Sequence, residues 1–405
     1  MVHTIATDAK TRRARSPNFV RGILVSYRPI RTRPLVCCQS VLNHGAAMPS
    51  RRGFLRSTSL ATLSGCLGLA QARPPNVVVM LASGLPDFGR IHGLNVPNLA
   101  RFGQESLQFE RAYVCCPETG PSQASLITGR FPFACGVPRD GVPLPADQTT
   151  IDRVLKDAGY QTTILGDWHL GSPQTDGETE AAISFVTQNR RSAFCVLLAW
   201  HPADPASIDD NAGRLLATID NQQLKNGTIV VFTSDHGYGS GSLEPAVRVP
   251  LMLRFPGMTL PLPGRLEPGR RAGVLASTVD LAPTLLTLCG LSRPESMQGR
   301  DLTREQSQSV YSVGRLGTPG EWRMVVRGLD KILMDRARNV TGLYNLGIDP
   351  DEMDNRAQDP GLELKRNELK ALLNNWMRRT GDGFDPSGLK RRARVDGRII
   401  VPSQG

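Results

Sequence analysis

Two almost uninterrupted apolar runs, Asn76-Val77-Val78-Val79-Met80-Leu81 and Thr228-Ile229-Val230-Val231-Phe232-Thr233, place the strongest constraint on this chain. A strand with one face in water alternates apolar and polar residues. A strand without alternation is covered on both faces, as in a parallel sheet clad by helices. The intervening pattern alternates accordingly. Helices are expected over 97–109, 122–128, 150–158, 179–189 and 209–224, with further strands over 161–165 and 194–200. This βαβ rhythm predicts an α/β fold with a doubly wound, mostly parallel sheet and helices on both faces. Ligands in such sheets bind beyond the carboxyl ends of the strands. Residues following Leu81, Leu165, Trp200 and Thr233 are therefore expected to converge. From about residue 305 the pattern changes to short strands (324–326, 331–333, 343–346) and one amphipathic helix, 362–378. This predicts a small C-terminal α+β subdomain over 305–380, packed on a main domain at 73–304 and followed by a basic tail, 381–405.

The formal net charge of +11 suggests nucleic acid only until it is located. Residues 1–72 hold 11 Lys and Arg against a single acid, Asp8, so nearly all the excess lies there. No basic face remains for nucleic acid, which is excluded as a partner. Ser50-Arg51-Arg52-Gly53-Phe54-Leu55-Arg56 resembles a twin-arginine export motif. An apolar stretch from Ser57 to Ala70 and the small residues of Ala70-Gln71-Ala72 complete the three parts of a signal peptide. Residues 48–72 are thus expected to be a leader for a periplasmic or extracellular protein. Residues 1–47 read as a basic arm or as an over-extended start upstream of Met48. The apolar stretch is too short to span a bilayer. Leu63-Ser64-Gly65-Cys66 also fits a lipoprotein box, so a membrane tether would run through Cys66. Five of the eight cysteines lie beyond Ala72 (Cys115, Cys116, Cys135, Cys195, Cys289), an odd, irregularly spaced set that is no disulfide framework, although one bridge is open.

Several stretches occur in an order that identifies a family. They are Arg73-Pro74-Pro75-Asn76-Val77-Val78, Val96-Pro97-Asn98-Leu99-Ala100-Arg101-Phe102, Phe109-Glu110-Arg111-Ala112-Tyr113 and Pro121-Ser122-Gln123-Ala124-Ser125-Leu126-Ile127-Thr128-Gly129-Arg130. Next come Leu155-Lys156-Asp157-Ala158-Gly159-Tyr160, Gly166-Asp167-Trp168-His169-Leu170-Gly171, Thr233-Ser234-Asp235-His236-Gly237, Glu244 through Arg248-Val249-Pro250, and Asp280-Leu281-Ala282-Pro283-Thr284. Together they resemble the sulfatases of the alkaline-phosphatase-like superfamily over nearly all of 74–378. The resemblance implies hydrolysis of sulfuric esters, often on carbohydrate. It implies a cysteine converted to formylglycine, a divalent metal (usually calcium) held by carboxylates, and Lys, Arg and His against the sulfate. The physical need is concentrated positive charge and a strong nucleophile.

Judged by that resemblance, the site is degenerate. The aspartate pair falls on Ser83 and Gly84, the modified cysteine on Thr119, so that formylglycine is not expected, and the following arginine on Gln123. The lysine before Trp168-His169 is Asp167, and a later histidine falls on Asp204. The segment from Gly237 to Glu244 is too short for the family's second lysine. Cys115 and Cys116 mimic the modification motif but stand four residues out of register. Retained are His169, Asp235 and His236. Thr119 and His169 are the candidate catalytic residues, Thr119 alternatively a helix cap. Asp235 and His236 are the candidate ligands for calcium or another divalent metal, alternatively hydrogen-bonded relics, with Asp87 a conceivable substitute carboxylate. Three functions are open: an active sulfuric ester hydrolase, a non-catalytic relative that binds a sulfated glycan or protein, and a phosphodiesterase using Thr119. The clustered substitutions favour the second.

Overall fold

The computed structural model describes residues 73–90, 94–171, 177–200, 204–239, 241–255 and 270–382, with two short paired strands at Arg394–Val395 and Arg398–Ile399. The chain divides into two units, Met1–Leu67 and Gly68–Gly405, and the described residues belong to the second. The expected arm, the leader and Cys66 lie outside the described residues, as does most of the tail.

In chain order the elements of the main sheet and its helices are β1 (Asn76–Ala82), α1 (Pro97–Gln104), β2 (Leu107–Tyr113), α2 (Thr119–Thr128), α3 (Pro132–Cys135), α4 (Ile151–Asp157), β3 (Gln161–Gly166), α5 (Glu178–Gln188), β4 (Phe194–Ala199), α6 (Pro205–Asn221), β5 (Thr228–Ser234), α7 (Glu244–Val247), β6 (Arg248–Val249), β7 (Leu251–Arg254), β8 (Arg271–Ser277) and α8 (Leu281–Leu288). The strands form one eight-stranded sheet in the order β3-β4-β1-β5-β7-β2-β6, with β8 beside β2. Strands β3, β4, β1 and β5 run parallel, and β7 is antiparallel to both β5 and β2.

The absence of alternation in the central strands has a direct cause. Val77, Val79 and Leu81 of β1 enter one core with Leu126, Ile127, Leu155 and Leu285, beneath α2, α4 and α8. Val78, Met80 and Ala82 enter a second core with Leu99, Phe102, Val186, Ile208 and Leu215, beneath α1, α5 and α6. Successive side chains point to opposite faces, so covering both faces demands an apolar residue at every position. Each fully buried Val, Leu or Phe contributes roughly 1.5–3 kcal/mol. The strand ends are held level by backbone hooks to the neighbouring strand. Trp200 N–H donates to Leu81 O at 2.9 Å, Asp235 N–H to Ala82 O at 3.0 Å, and Asp167 N–H to Ala199 O at 2.9 Å.

Two sequence expectations are corrected. The segment 97–109 is not one helix: α1 ends at Gln104, and Leu107–Tyr113 becomes β2, pairing with β6, β7 and β8. Pairing on both sides outweighs the helical spacing of 97–109. Helix α6 starts earlier than 209 because Asp204 caps it, accepting from Ala206 N–H and Ser207 N–H ahead of Pro205.

The C-terminal subdomain is an antiparallel sheet of β9 (Ser309–Gly314), β10 (Trp322–Arg327), β11 (Asp330–Asp335) and β12 (Val340–Asn345), in the order β12-β11-β10-β9, followed by α9 (Glu363–Thr380). One face of this sheet buries Tyr311, Val325 and Ile332 against Leu369, Leu373 and Trp376 of α9. The other face buries Val310, Met324 and Val326 against Tyr113, Val247 and Leu275 of the main sheet. The five described cysteines are all buried free thiols, so none of them forms the single bridge left open by the sequence.

A charged tie crosses that second interface. Lys331 Nζ, fully buried in β11, lies 3.2 Å from Glu244 Oε1 and 2.7 Å from Glu352 Oε1. Tyr113 Oη donates to Glu244 Oε2 at 3.0 Å, and Glu244 N–H to Glu352 Oε2 at 2.5 Å. Removing the cation leaves two buried carboxylates facing one another. Lys331→Met is expected to lower the unfolding free energy by about 3–5 kcal/mol, measured by urea denaturation. A loss below about 1 kcal/mol would show that water or rearrangement replaces the ammonium.

Candidate functional site

The predicted convergence is present at the carboxyl ends of β1 and β5. Asp235 follows β5, and its side chain is completely buried. Its Oδ1 accepts from Gly84 N–H at 3.2 Å, across the turn that follows β1, and Ser83 supplies a side-chain hydrogen bond. Asp235 Oδ2 has no hydrogen-bond partner. Burial pushes this carboxyl above its ordinary range, against the pull of His236 and the bonds from Gly84 and Ser83. Ser234 Oγ completes the turn, accepting from Leu85 N–H at 3.0 Å and donating to His236 O at 2.7 Å.

His236 faces the start of α2. Its Nδ1 lies 2.7 Å from Gly237 O, so Nδ1 carries the proton and donates. Nε2 is left as the acceptor for the Thr119 hydroxyl at 3.2 Å, with Asp235 Oδ1 at 3.7 Å. Thr119 is therefore not the helix cap: Glu118 occupies that position, and Thr119 is the first residue of α2. The structure brings together three of the four candidate residues, Thr119, Asp235 and His236.

His169 belongs to a separate pairing. Its Nε2 lies 3.2 Å from Asp167 Oδ2, and its N–H donates to Gln123 Oε1 at 2.8 Å. Gln123 Nε2 in turn donates to Asp167 O at 3.0 Å. Asp167 and Gln123, which the resemblance places at cation positions, thus hold each other and His169. Asp87 is no substitute ligand, because its carboxylate lies 3.4 Å from Arg248 and its N–H donates to Arg248 O at 3.1 Å. Asp204 is spent as the α6 cap. Cys115 and Cys116 are buried in the core beside Phe131, with burial pushing the Cys115 thiol up to about 12.

A calcium ion needs six or more oxygens, mostly from carboxylates. Here a single carboxylate is offered, and one of its oxygens is already engaged by Gly84 N–H. Gly84 has φ 71°, a left-handed backbone that side-chain-bearing residues seldom adopt. The turn is shaped to donate to Asp235, where two anionic ligands would have to accept a metal. Among the described residues no group of three His, Cys, Asp or Glu could hold a metal ion. The residues present do not fit calcium. Threonine stands at 119, where the resemblance implies the cysteine that is oxidised at Cβ to formylglycine.

Sequence reading missed Asp140. Its Oδ1 accepts from Gly120 N–H at 2.6 Å, at the start of α2 beside Thr119. The available signal was the glycine itself, in the first turn of a helix where side chains are otherwise favoured.

Known proteins share this architecture. The sulfatase family model matches residues 75–192 and 205–291. An ulvan-active sulfatase from Formosa agariphila is 21% identical, covering 72% of this chain and 78% of its own. N-acetylgalactosamine-6-sulfatase from Canis lupus familiaris is 26% identical over 58% of this chain and 67% of its own. A solved structure of a protein in complex with its substrate D-glucosamine-2-N,6-O-disulfate superposes with a TM-score of 0.69 at 18% identity, covering 77% of this chain and 99% of that one. A sulfatase from a Pseudoalteromonas species gives a TM-score of 0.60 at 17% identity, over 78% of this chain and 92% of that one.

Because the Asp235 carboxyl is raised above its ordinary 3.8 in the fold, the folded chain binds that proton more tightly than the unfolded chain. Stability from this group is greatest below about pH 3.8 and falls as pH rises through the folded value. Asp235→Asn removes the dependence, so its stability relative to the wild type should improve between about pH 4 and about pH 7 in urea unfolding. A constant difference across that range would show that Asp235 carries no burial penalty.

Proposed function

The chain belongs to the sulfatase family, and on that premise we propose that it is an exported protein that recognises a sulfated carbohydrate beyond the ends of β1 and β5, with sulfuric ester hydrolysis impaired. Sulfatases generally use a divalent metal. The observation that carries the impairment is the reversal at Ser83 and Gly84, which donate to Asp235 rather than accept a cation beside it. With Asp167 and Gln123 at the positions where the resemblance implies cations, attack on an anionic ester loses a main source of transition-state stabilisation. The carbohydrate half of the reading is supported by the relatives, whose names specify ulvan, N-acetylglucosamine-6-O-sulfate and N-acetylgalactosamine-6-sulfate activities. Export is supported by the charged, apolar and small-residue order of residues 48–72.

One geometric observation favours a second reading, a Thr119-dependent phosphodiesterase. The Thr119 hydroxyl donates to His236 Nε2 at 3.2 Å, an arrangement in which a base can take the proton of a nucleophile. Against it, Gly120 N–H, a donor that could steady the developing charge, is bonded to Asp140.

Metal, turnover and binding separate these readings. A calcium site with Kd one hundredth of the added calcium would stabilise the fold by about 2.7 kcal/mol. We expect neither calcium nor a chelator to move the Tm, no turnover of an aryl sulfate or a bis-aryl phosphate, and calorimetric binding of a sulfated disaccharide. Calcium-dependent sulfate release abolished by Asp235→Ala would overturn the impaired reading. Diester cleavage lost in Thr119→Ala would select the phosphodiesterase.

A further inference from the structure

The segment from Gly237 to Glu244, too short for the lysine that the resemblance implies, carries an aromatic residue instead. Tyr238 follows His236 by two residues and is 58% exposed. Among the described residues it is the only aromatic side chain in the set of large exposed hydrophobics. Two residues of chain span at most about 7 Å, so the ring is rooted beside the His236–Thr119 pair.

The backbone beneath the ring is fixed. Gly237 N–H donates to Ala246 O and Tyr238 N–H to Pro245 O, both at 2.8 Å, which ties the segment to α7. A Cβ at Gly237 would come within 1.9 Å of Pro245 O and 3.1 Å of Pro86 Cβ, so glycine is what permits this approach. The surroundings are bare by contrast. At Gly239 and Gly241 nothing lies within 4 Å of where a Cβ would stand. Leu243, 43% exposed, adds apolar surface near the far end of the same segment.

A single exposed apolar residue needs no explanation on an ordinary surface. Tyr238 is set apart by its place at the ends of β1 and β5, its pinned backbone and its glycine neighbours. Tyrosine offers a broad, rigid contact area at small entropic cost. The face of its ring carries partial negative charge, which attracts the polarised C–H groups of a sugar. We propose that Tyr238 is a carbohydrate platform, its ring stacking on the C–H face of a pyranose held beside His236. This rests on the sulfated-carbohydrate reading above and names the residue that recognises the sugar rather than the sulfate.

The test is calorimetry of wild type, Tyr238→Phe and Tyr238→Ala. A 6-O-sulfated N-acetylglucosamine disaccharide, its unsulfated counterpart and inorganic sulfate are titrated separately. The side chain is exposed and the pinning bonds are backbone ones, so both variants should fold, and a thermal melt checks this. Tyr238→Ala is expected to bind the sulfated disaccharide about tenfold more weakly than wild type. Tyr238→Phe should stay within about twofold of wild type, and inorganic sulfate should not distinguish the three proteins. Equal disaccharide affinity in wild type and Tyr238→Ala overturns the platform and leaves the carbohydrate reading standing. A loss in Tyr238→Phe as large as in Tyr238→Ala overturns stacking, as does a parallel loss for inorganic sulfate. If wild type binds both disaccharides alike and Tyr238→Ala weakens both, the platform stands and the sulfate part of the reading falls. Binding of neither disaccharide to wild type overturns the two together.

Discussion

Coverage of β1, β4 and β5 on both faces leaves polar side chains only the strand ends to occupy. Every residue within Val77–Ala82 is committed to one apolar core or the other. Chemistry is displaced to the turns beyond Ala82, Ala199 and Ser234. The backbone hooks from Trp200, Asp235 and Asp167 hold those turns level, so their side chains meet although they are far apart in sequence. The candidate site follows from the way the sheet is packed.

What occupies that location is set by electrostatics. In a sulfatase the strand ends must assemble a doubly charged cation and an anionic ester. Here the turn after β1 presents an amide and a hydroxyl to one buried carboxylate. Asp167 and Gln123, which the resemblance places at cation positions, satisfy one another and His169. Asp140 satisfies the helix. Asp167, Gln123 and Asp140 thus each have a hydrogen-bond partner within the chain. Asp235 Oδ2, by contrast, is buried at the end of β5 without a hydrogen-bond partner.

The fold was legible because its signals are local. Runs such as 228–233, bounded by turns and spaced by helical segments, specify strand type and sheet class directly. Strand β2 was not, since Leu107–Tyr113 follows α1 without a break and is defined by partners more than a hundred residues distant. The site was legible in part. Thr119, Asp235 and His236 could be placed by motif order, but the role of Thr119 could not, because the hydroxyl could cap α2 or face His236 and only the third dimension decides. Asp140 left only an indirect mark, the glycine at 120, because its partner is that residue's backbone N–H.

The buried thiols have a consequence of their own. Cys115, Cys116, Cys135, Cys195 and Cys289 are each within the cores, and burial pushes the last up to about 11. Thiolate is the reactive form, and it is suppressed for as long as the core is shut. The rate at which these cysteines are alkylated therefore reads the rate at which different regions open. Cys195 reports on the central sheet, and Cys115 and Cys116 on its junction with the C-terminal strands. The molecule carries its own clocks for breathing, without an introduced label.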